Sequence, residues 1–176
     1  LAAREPLLAP PDAAAPAPEI DRQDAVARLL EDWPDGRVKM FVTACGLRLR
    51  RRLPELFLAG DYVPLEAHVT VPAGVVAFAR TLGPHVLVTL VPRLFARLVG
   101  PDRPLPLGGD CWNISHVVLP GRLATRRFRN VFTGAVVEPA YTRGQSWLFV
   151  GQVLEGFPVA ILEAVAGLTL LAPPSA

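Results

Sequence analysis

Lysine, histidine and cysteine are scarce in this chain of 176 residues. The low net charge, the few histidines and the few cysteines each argue against a class of protein. Lys39 is the only lysine, so the 18 basic residues are almost all arginines, and the formal net charge is only +2. A charge so close to neutral gives no electrostatic argument for nucleic-acid binding. The three histidines, His68, His85 and His116, have no acidic or serine partner at a readable spacing. We therefore expect no nucleic-acid partner, no metal site and no cofactor.

The two cysteines, Cys45 and Cys111, are too few for a disulfide scaffold. We expect free thiols and a reducing, cytoplasmic location. No basic stretch followed by an apolar one opens the chain, so no signal peptide is predicted. The longest apolar stretch, 159–172, is interrupted by Glu163 and is shorter than the roughly 20 residues that span a bilayer. We expect no membrane association.

Two helices are predicted in the first third of the chain. Residues 1–18 are rich in alanine and proline and are expected to be a linker. One helix is predicted from Asp21, as its cap, to Asp32, and a second from Arg37 to Leu53. A Trp-Pro-Asp-Gly break separates them, and a proline ends the second helix.

The second helix carries an apolar stripe along one face. Its members recur at helical spacing, namely Val38, Phe41, Val42, Cys45 and Leu49. The first helix is too small to cover such a stripe, so we expect it to be left partly exposed or to be buried by another chain. Self-association through helix 37–53 would follow from that exposure.

From residue 61 onward, short runs of Val, Leu and Phe alternate with Gly and Pro. Strands are predicted near 62–70, 74–82, 85–92, 112–119, 128–133, 146–150 and 157–163, with an exposed loop at 100–110. Strands without intervening helices indicate an antiparallel sheet structure. The predicted fold is therefore α+β and mainly β, with helices over 19–60 followed by an antiparallel β-sandwich-like domain over 61–172.

A series of sequence blocks resembles one enzyme family, and the blocks occur here in the same order and spacing. They are DGRVK from Asp35, PELF from Pro54, GDYVPLE from Gly60, VVAFAR from Val75, VPRL from Val91, NVFTG from Asn130 and GFPVA from Gly156. Together they resemble the C-terminal portion of malto-oligosyltrehalose synthase, over roughly residues 19–163. The chain departs from the family pattern at 9–21, which lacks the family's arginines, and at 111–115, which lacks its aspartate.

The resemblance implies a specific parent enzyme. The family belongs to glycoside hydrolase family 13, whose (β/α)8 barrel precedes a C-terminal antiparallel β domain. Its members convert the reducing-end α-1,4 link of a malto-oligosaccharide into an α,α-1,1 link, which makes them isomerases of trehalose biosynthesis. By this resemblance, the helices 19–60 close the parent barrel, and the partners are that missing barrel and, through it, the malto-oligosaccharide.

None of the residues of this chain is expected to be catalytic. A retaining glycosyl transfer needs two carboxyl groups roughly 5–5.5 Å apart, and the acidic residues here are better explained as helix caps and solvated faces. Arg37 and Lys39 lie in the best-matched block and are the weak candidates for contacting a sugar or the bottom of the barrel. The polar face of a helix is the favoured explanation for both.

Three tryptophans leave a further alternative open. Trp33, Trp112 and Trp147 suit sugar stacking as well as core packing. Besides the structural part of a larger enzyme, the chain is therefore consistent with a stand-alone carbohydrate-binding β domain. A protein-interaction domain, for example one bridging to the next enzyme of the pathway, is the other alternative.

Overall fold

The structure is a computed structural model that describes residues 19–124, 126–142 and 144–169. The predicted linker 1–18 and the last predicted residues of the β domain lie outside this range. Three helices come first: α1 (Glu19–Glu31), α2 (Arg37–Arg52) and α3 (Pro54–Leu58). A 3-10 turn, Trp33–Asp35, separates α1 from α2. Because α1 begins at Glu19, Asp21 lies inside the helix and does not cap it.

Ten strands follow, with two short helices between them, and they form two sheets. The strands are β1 (Asp61–Pro64), β2 (Ala67–His68), β3 (Gly74–Leu82), β4 (His85–Arg93), β5 (His116–Leu119), β6 (Arg126–Asn130), β7 (Val136–Val137), β8 (Ala140–Thr142), β9 (Gln145–Phe149) and β10 (Ala160–Thr169). The two helices are α4 (Gly109–Trp112) and α5 (Val150–Val153).

The strand order is β1-β3-β4-β10-β6-β7 in the six-stranded sheet and β2-β5-β9-β8 in the four-stranded sheet. All of these strand pairings are antiparallel. The fold is therefore mixed helix and sheet, with mainly antiparallel strands, as the sequence predicts.

The main core lies between the two sheets. Strands of the six-stranded sheet contribute Val88, Leu90, Phe128 and Leu162, and strands of the four-stranded sheet contribute Val117, Leu119 and Leu148, all buried in one cluster. The short helices α4 and α5 add Trp112 and Val153 to it. The alternation of buried and exposed residues along these strands thus places one face of each sheet against the other.

The helices cover the other face of the six-stranded sheet. Cys45 of α2 is buried with Phe132 and Phe157, and Phe41 packs edge-on against Phe157 with ring centroids 5.7 Å apart. Farther along, Leu49 and Leu56 are buried against Leu87 of β4. The helices and the sheet therefore share their apolar surface.

This packing corrects the prediction that the stripe of helix 37–53 is left uncovered. Cys45 and Leu49 are buried within the single chain, and Phe41 and Val42 are half-buried against the same cluster. The outer face of the six-stranded sheet is the surface that covers the apolar stripe. The covered stripe removes the argument for self-association through this surface.

Two of the predicted strands are wrong in their bounds for identifiable reasons. The predicted strand 62–70 divides at Leu65 and Glu66, where the chain passes between sheets: the Leu65 N–H donates to the Ala77 carbonyl and the Glu66 carbonyl accepts from Val118. The predicted strand 112–119 begins only at His116. Before it, α4 buries Trp112, whose indole Nε1 donates to the Pro106 carbonyl at 2.7 Å.

The remaining differences are smaller. The sequence reading misses the short strands β7 and β8, and the predicted strand 157–163 begins later, at Ala160, and continues to Thr169. Among the described residues, no helix is long and apolar enough to cross a membrane.

The helix-to-sheet interface yields a test of stability. Leu56 and Leu58 lie two residues apart on α3, but Leu56 is 1% exposed and Leu58 is 74% exposed. We expect Leu56→Ala to lower the free energy of unfolding by about 2–5 kcal/mol because it leaves a cavity. Leu58→Ala should change it by less than about 0.5 kcal/mol. Urea denaturation measures both, and equal effects of the two variants would contradict the assigned packing.

Candidate functional site

Arg37 is engaged at the start of α2. Its guanidinium pairs with Asp32 at 2.8 Å and with Asp35, and its backbone N–H donates to Asp35 Oδ1 at 2.8 Å. This backbone hydrogen bond is the main reason that the pKa of Asp35 is lowered. Gly36, in the left-handed conformation at φ 84°, allows the turn that brings these groups together. Lys39 is exposed on the same helix, two residues after Arg37.

A cleft of about 290 Å³ lies where α1 and α2 meet strands β6 and β10. We call it the arginine cleft, because four arginines line it together with Glu163 and Cys45; the four are Arg22, Arg48, Arg52 and Arg129. These residues come from four separate elements of the chain. Sequence reading missed the site because nothing in the linear order brings those elements together.

Neutral and charged partners hold the guanidinium groups of this cleft in place. Arg22 donates through Nε to the Phe132 carbonyl at 3.1 Å and also to the Val131 carbonyl. Arg129 donates to the Gly134 carbonyl at 3.2 Å. These carbonyl oxygens orient the groups but carry no net charge, so the positive charges of Arg22 and Arg129 are not neutralised by these bonds.

Arg52 has a charged partner. It contacts both carboxylate oxygens of Glu163, at 2.8 and 2.6 Å, in the bidentate geometry that arginine prefers. Glu163 raises the pKa of Arg52 through this hydrogen bond. The pair joins the last turn of α2 to β10, where Glu163 stands directly opposite Arg129 of β6.

Cys45 lines the same cleft from the buried face of α2. Burial raises the pKa of its thiol, and the nearby charges of Arg22 and Arg48 act in the opposite direction. Cys45 is therefore mainly protonated at neutral pH. The thiol belongs to the apolar floor of the cleft and is not an activated nucleophile.

A second feature is a group of rings on the outer face of the four-stranded sheet. We call it the ring platform, and it consists of His68, His116, Trp147 and Phe149. The His116 ring centroid lies 5.1 Å from that of His68, 5.7 Å from Trp147 and 6.3 Å from Phe149. Glu66 lies 3.3 Å from His68 Nε2 at its edge.

The register of three strands assembles this platform. His68 of β2 pairs with His116 of β5, which in turn pairs with Phe149 of β9. Their neighbours Val117 and Leu148 alternate to the opposite face and are fully buried in the core. Four aromatic rings, two of them polar imidazoles, thus occupy the face opposite the buried one.

The three tryptophans have three different environments. Trp112 is fully buried, Trp147 is half-buried in the ring platform, and Trp33 is 44% exposed in the turn before α2. Of the three tryptophans, Trp112 is therefore the one whose position is explained by packing in the core. Two of the three histidines, His68 and His116, are neighbours across strands, which only the strand register reveals.

Comparisons with known proteins do not extend this picture. No protein-family model, no curated protein and no solved structure matches the chain. Within the described residues, no group of three or more His, Cys, Asp or Glu side chains is placed to hold a metal ion.

The thiols give a direct test of the burial around the cleft. Cys45 and Cys111 are both free, as the sequence predicts, and both are buried with a raised pKa that burial causes. We expect two reactive thiols in denaturant without reductant, and much slower reaction of both with a disulfide reagent in the native protein at pH 8. The variants Cys45→Ser and Cys111→Ser assign the two phases. Native thiols that react as fast as free cysteine would contradict this burial.

Proposed function

We propose that this chain is the C-terminal part of an enzyme that resembles malto-oligosyltrehalose synthase, and that its role in that enzyme is structural. The parent transfers a glucosyl unit within a malto-oligosaccharide to form an α,α-1,1 link. This part supplies a folded unit beside the catalytic barrel and none of the reacting groups.

The observation that carries this proposal is where the resembling blocks lie. Three of them are far apart in sequence, yet they contribute buried residues to the interface between the helices and the six-stranded sheet. Leu56 of PELF, Phe132 of NVFTG and Phe157 of GFPVA are all at most 1% exposed. The Phe132 and Phe157 rings pack with centroids 5.1 Å apart. Two further blocks, GDYVPLE and VVAFAR, place Leu65, Ala77 and Ala79 in the core between the sheets. Blocks that supply buried contacts in both cores support a shared fold.

Polar contacts between blocks support the same proposal. Arg80 of VVAFAR donates to the carbonyls of Phe57 and Gly60, at 3.3 and 3.4 Å, and so connects three of the blocks. Gly60 itself has no room for a side chain, because a Cβ there would overlap the Leu56 carbonyl. Asn130 of NVFTG is 2% exposed and its Oδ1 accepts from the Phe132 N–H at 2.9 Å.

The packing of α2 supports a different contact surface for the barrel from the one that the sequence suggests. Since the stripe of α2 already packs on the sheet, the helices and the β domain form one preassembled unit. The surface left for a barrel is the outer side of the helices, where Leu47 and Leu58 are 63% and 74% exposed. We place the contact with the catalytic barrel there.

The size and activity of the parent test this proposal. An antibody against this chain should detect, in cells of its source, a polypeptide much larger than 19.0 kDa. The purified parent should convert maltopentaose to a non-reducing product, measured as loss of reducing ends, whereas the 176-residue chain alone should not. A single band near 19 kDa would contradict the proposal. So would turnover by the chain alone that an Asp or Glu substitution within it abolishes.

A second candidate function, carbohydrate binding, is favoured by the ring platform. Half-buried Trp147 lies on an open sheet face with His116 and Phe149 beside it. Flat apolar rings with polar edges suit the faces of sugar rings. Such a surface would hold a glucan chain near the parent enzyme without taking part in the transfer.

The platform can be tested with one pair of tryptophan variants. We expect the chain to bind maltopentaose in calorimetry, and Trp147→Ala to weaken binding about fivefold or more, because a ring contact is worth about 1 kcal/mol or more. Trp33→Ala, which changes an exposed tryptophan elsewhere, should leave the affinity unchanged. Thermal melts establish that both variants are folded. No binding by the unchanged chain, or equal binding by Trp147→Ala, would exclude this function.

A further inference from the structure

The arginine cleft has a charge imbalance that the proposed function does not use. Four arginines and one glutamate line its 290 Å³, a formal excess of three positive charges. Like charges in one concavity repel, and side chains without a reason to converge would turn toward solvent. In this cleft at least three of the arginine side chains are held in place by hydrogen bonds to the carbonyl and carboxylate groups described above.

Among the described residues, the bonds that hold these side chains engage only part of their donors. A guanidinium has five N–H donors. Arg22 uses its Nε and one terminal nitrogen on two carbonyls, and Arg52 uses its two terminal nitrogens on Glu163. Arg129 is bonded through one terminal nitrogen to the Gly134 carbonyl. These bonds orient the three groups, and each group has N–H donors that these particular bonds do not use.

The floor and walls of the cleft make it a concave site. Cys45 and Asn130 are buried there, and the arginines that line it come from α1, α2 and β6. Its volume is near the lower end for small-molecule sites. It accommodates a phosphate group together with a small attached group.

We infer that the arginine cleft binds a dianionic phosphate group, either inorganic phosphate or the phosphate of a small phosphorylated metabolite. Planar guanidinium groups match phosphate oxygens in paired hydrogen bonds, and convergence of several of them suits a doubly charged ligand better than a single carboxylate. Glu163 takes no part in binding; it orients Arg52 and prevents still greater repulsion in the empty cleft. The site is independent of the ring platform and of any role for the parent barrel.

Calorimetry with three probes tests this inference on the full chain. The probes are inorganic phosphate, glucose 6-phosphate and glucose, all at constant ionic strength set with sodium chloride. We expect saturable binding of phosphate, of glucose 6-phosphate, or of both, and none of glucose. Tighter binding of glucose 6-phosphate would identify an esterified ligand, and equal or weaker binding would identify the free ion. Heats from both phosphate probes that match the chloride control would overturn the inference.

Matched arginine variants then locate the site. Arg48→Gln should weaken phosphate binding about tenfold, as loss of a charge-assisted contact predicts, and Arg48→Gln with Arg129→Gln should abolish it. Arg51→Gln is the control, since Arg51 is exposed on the same helix and does not line the cleft. Far-UV circular dichroism checks folding, and Arg129→Gln alone replaces Arg48→Gln if the latter unfolds. Equal weakening by Arg51→Gln, or binding of polyglutamate but of neither phosphate probe, would overturn the inference.

Discussion

Strand β4 buries side chains on both of its faces, and the positions of the other layers depend on this. Val86, Val88 and Leu90 face the four-stranded sheet, whereas Leu87 between them is buried against Leu49 and Leu56 of the helices. A strand apolar on both faces needs cover on both sides. The neighbouring strand β10 also packs on both faces, with Leu162 toward the four-stranded sheet and Ile161 toward the helices. Because both faces of these strands are apolar, the six-stranded sheet lies between the helices on one side and the four-stranded sheet on the other.

This layering separates the two candidate surfaces. The arginine cleft opens at the junction of the helices with the six-stranded sheet, and the ring platform lies on the far face of the four-stranded sheet. The core between the sheets stands between them. A ligand in the cleft and a ligand on the platform therefore do not contact each other, and substitutions at one should leave binding at the other unchanged.

Local chemistry made some parts of the fold predictable. Gly36 and Pro54 bound α2 within one residue of the expected helix, and Gly83-Pro84 marks the turn of the β3–β4 hairpin. The parts that were missed depend on distant contacts. The chain leaves one sheet at Leu65 because Ala77 and Val118 offer it partners in two sheets, and α4 forms because Trp112 reaches the Pro106 carbonyl. The candidate sites were missed for the same reason, since cross-strand register and helix docking decide which rings and arginines meet.

The place of β10 within the six-stranded sheet also sets an order of assembly. β10 lies between β4 and β6, although residues 160–169 are made after every other strand described. Before these residues are made, the pairings available to this sheet are β1 with β3, β3 with β4, and β6 with β7, and each group has an edge strand that pairs with β10 in the folded structure. Unpaired strand edges attract other strands. The six-stranded sheet can therefore be completed only after residues 160–169 are made, and a nascent chain that stalls before residue 160 leaves these two edges unpaired.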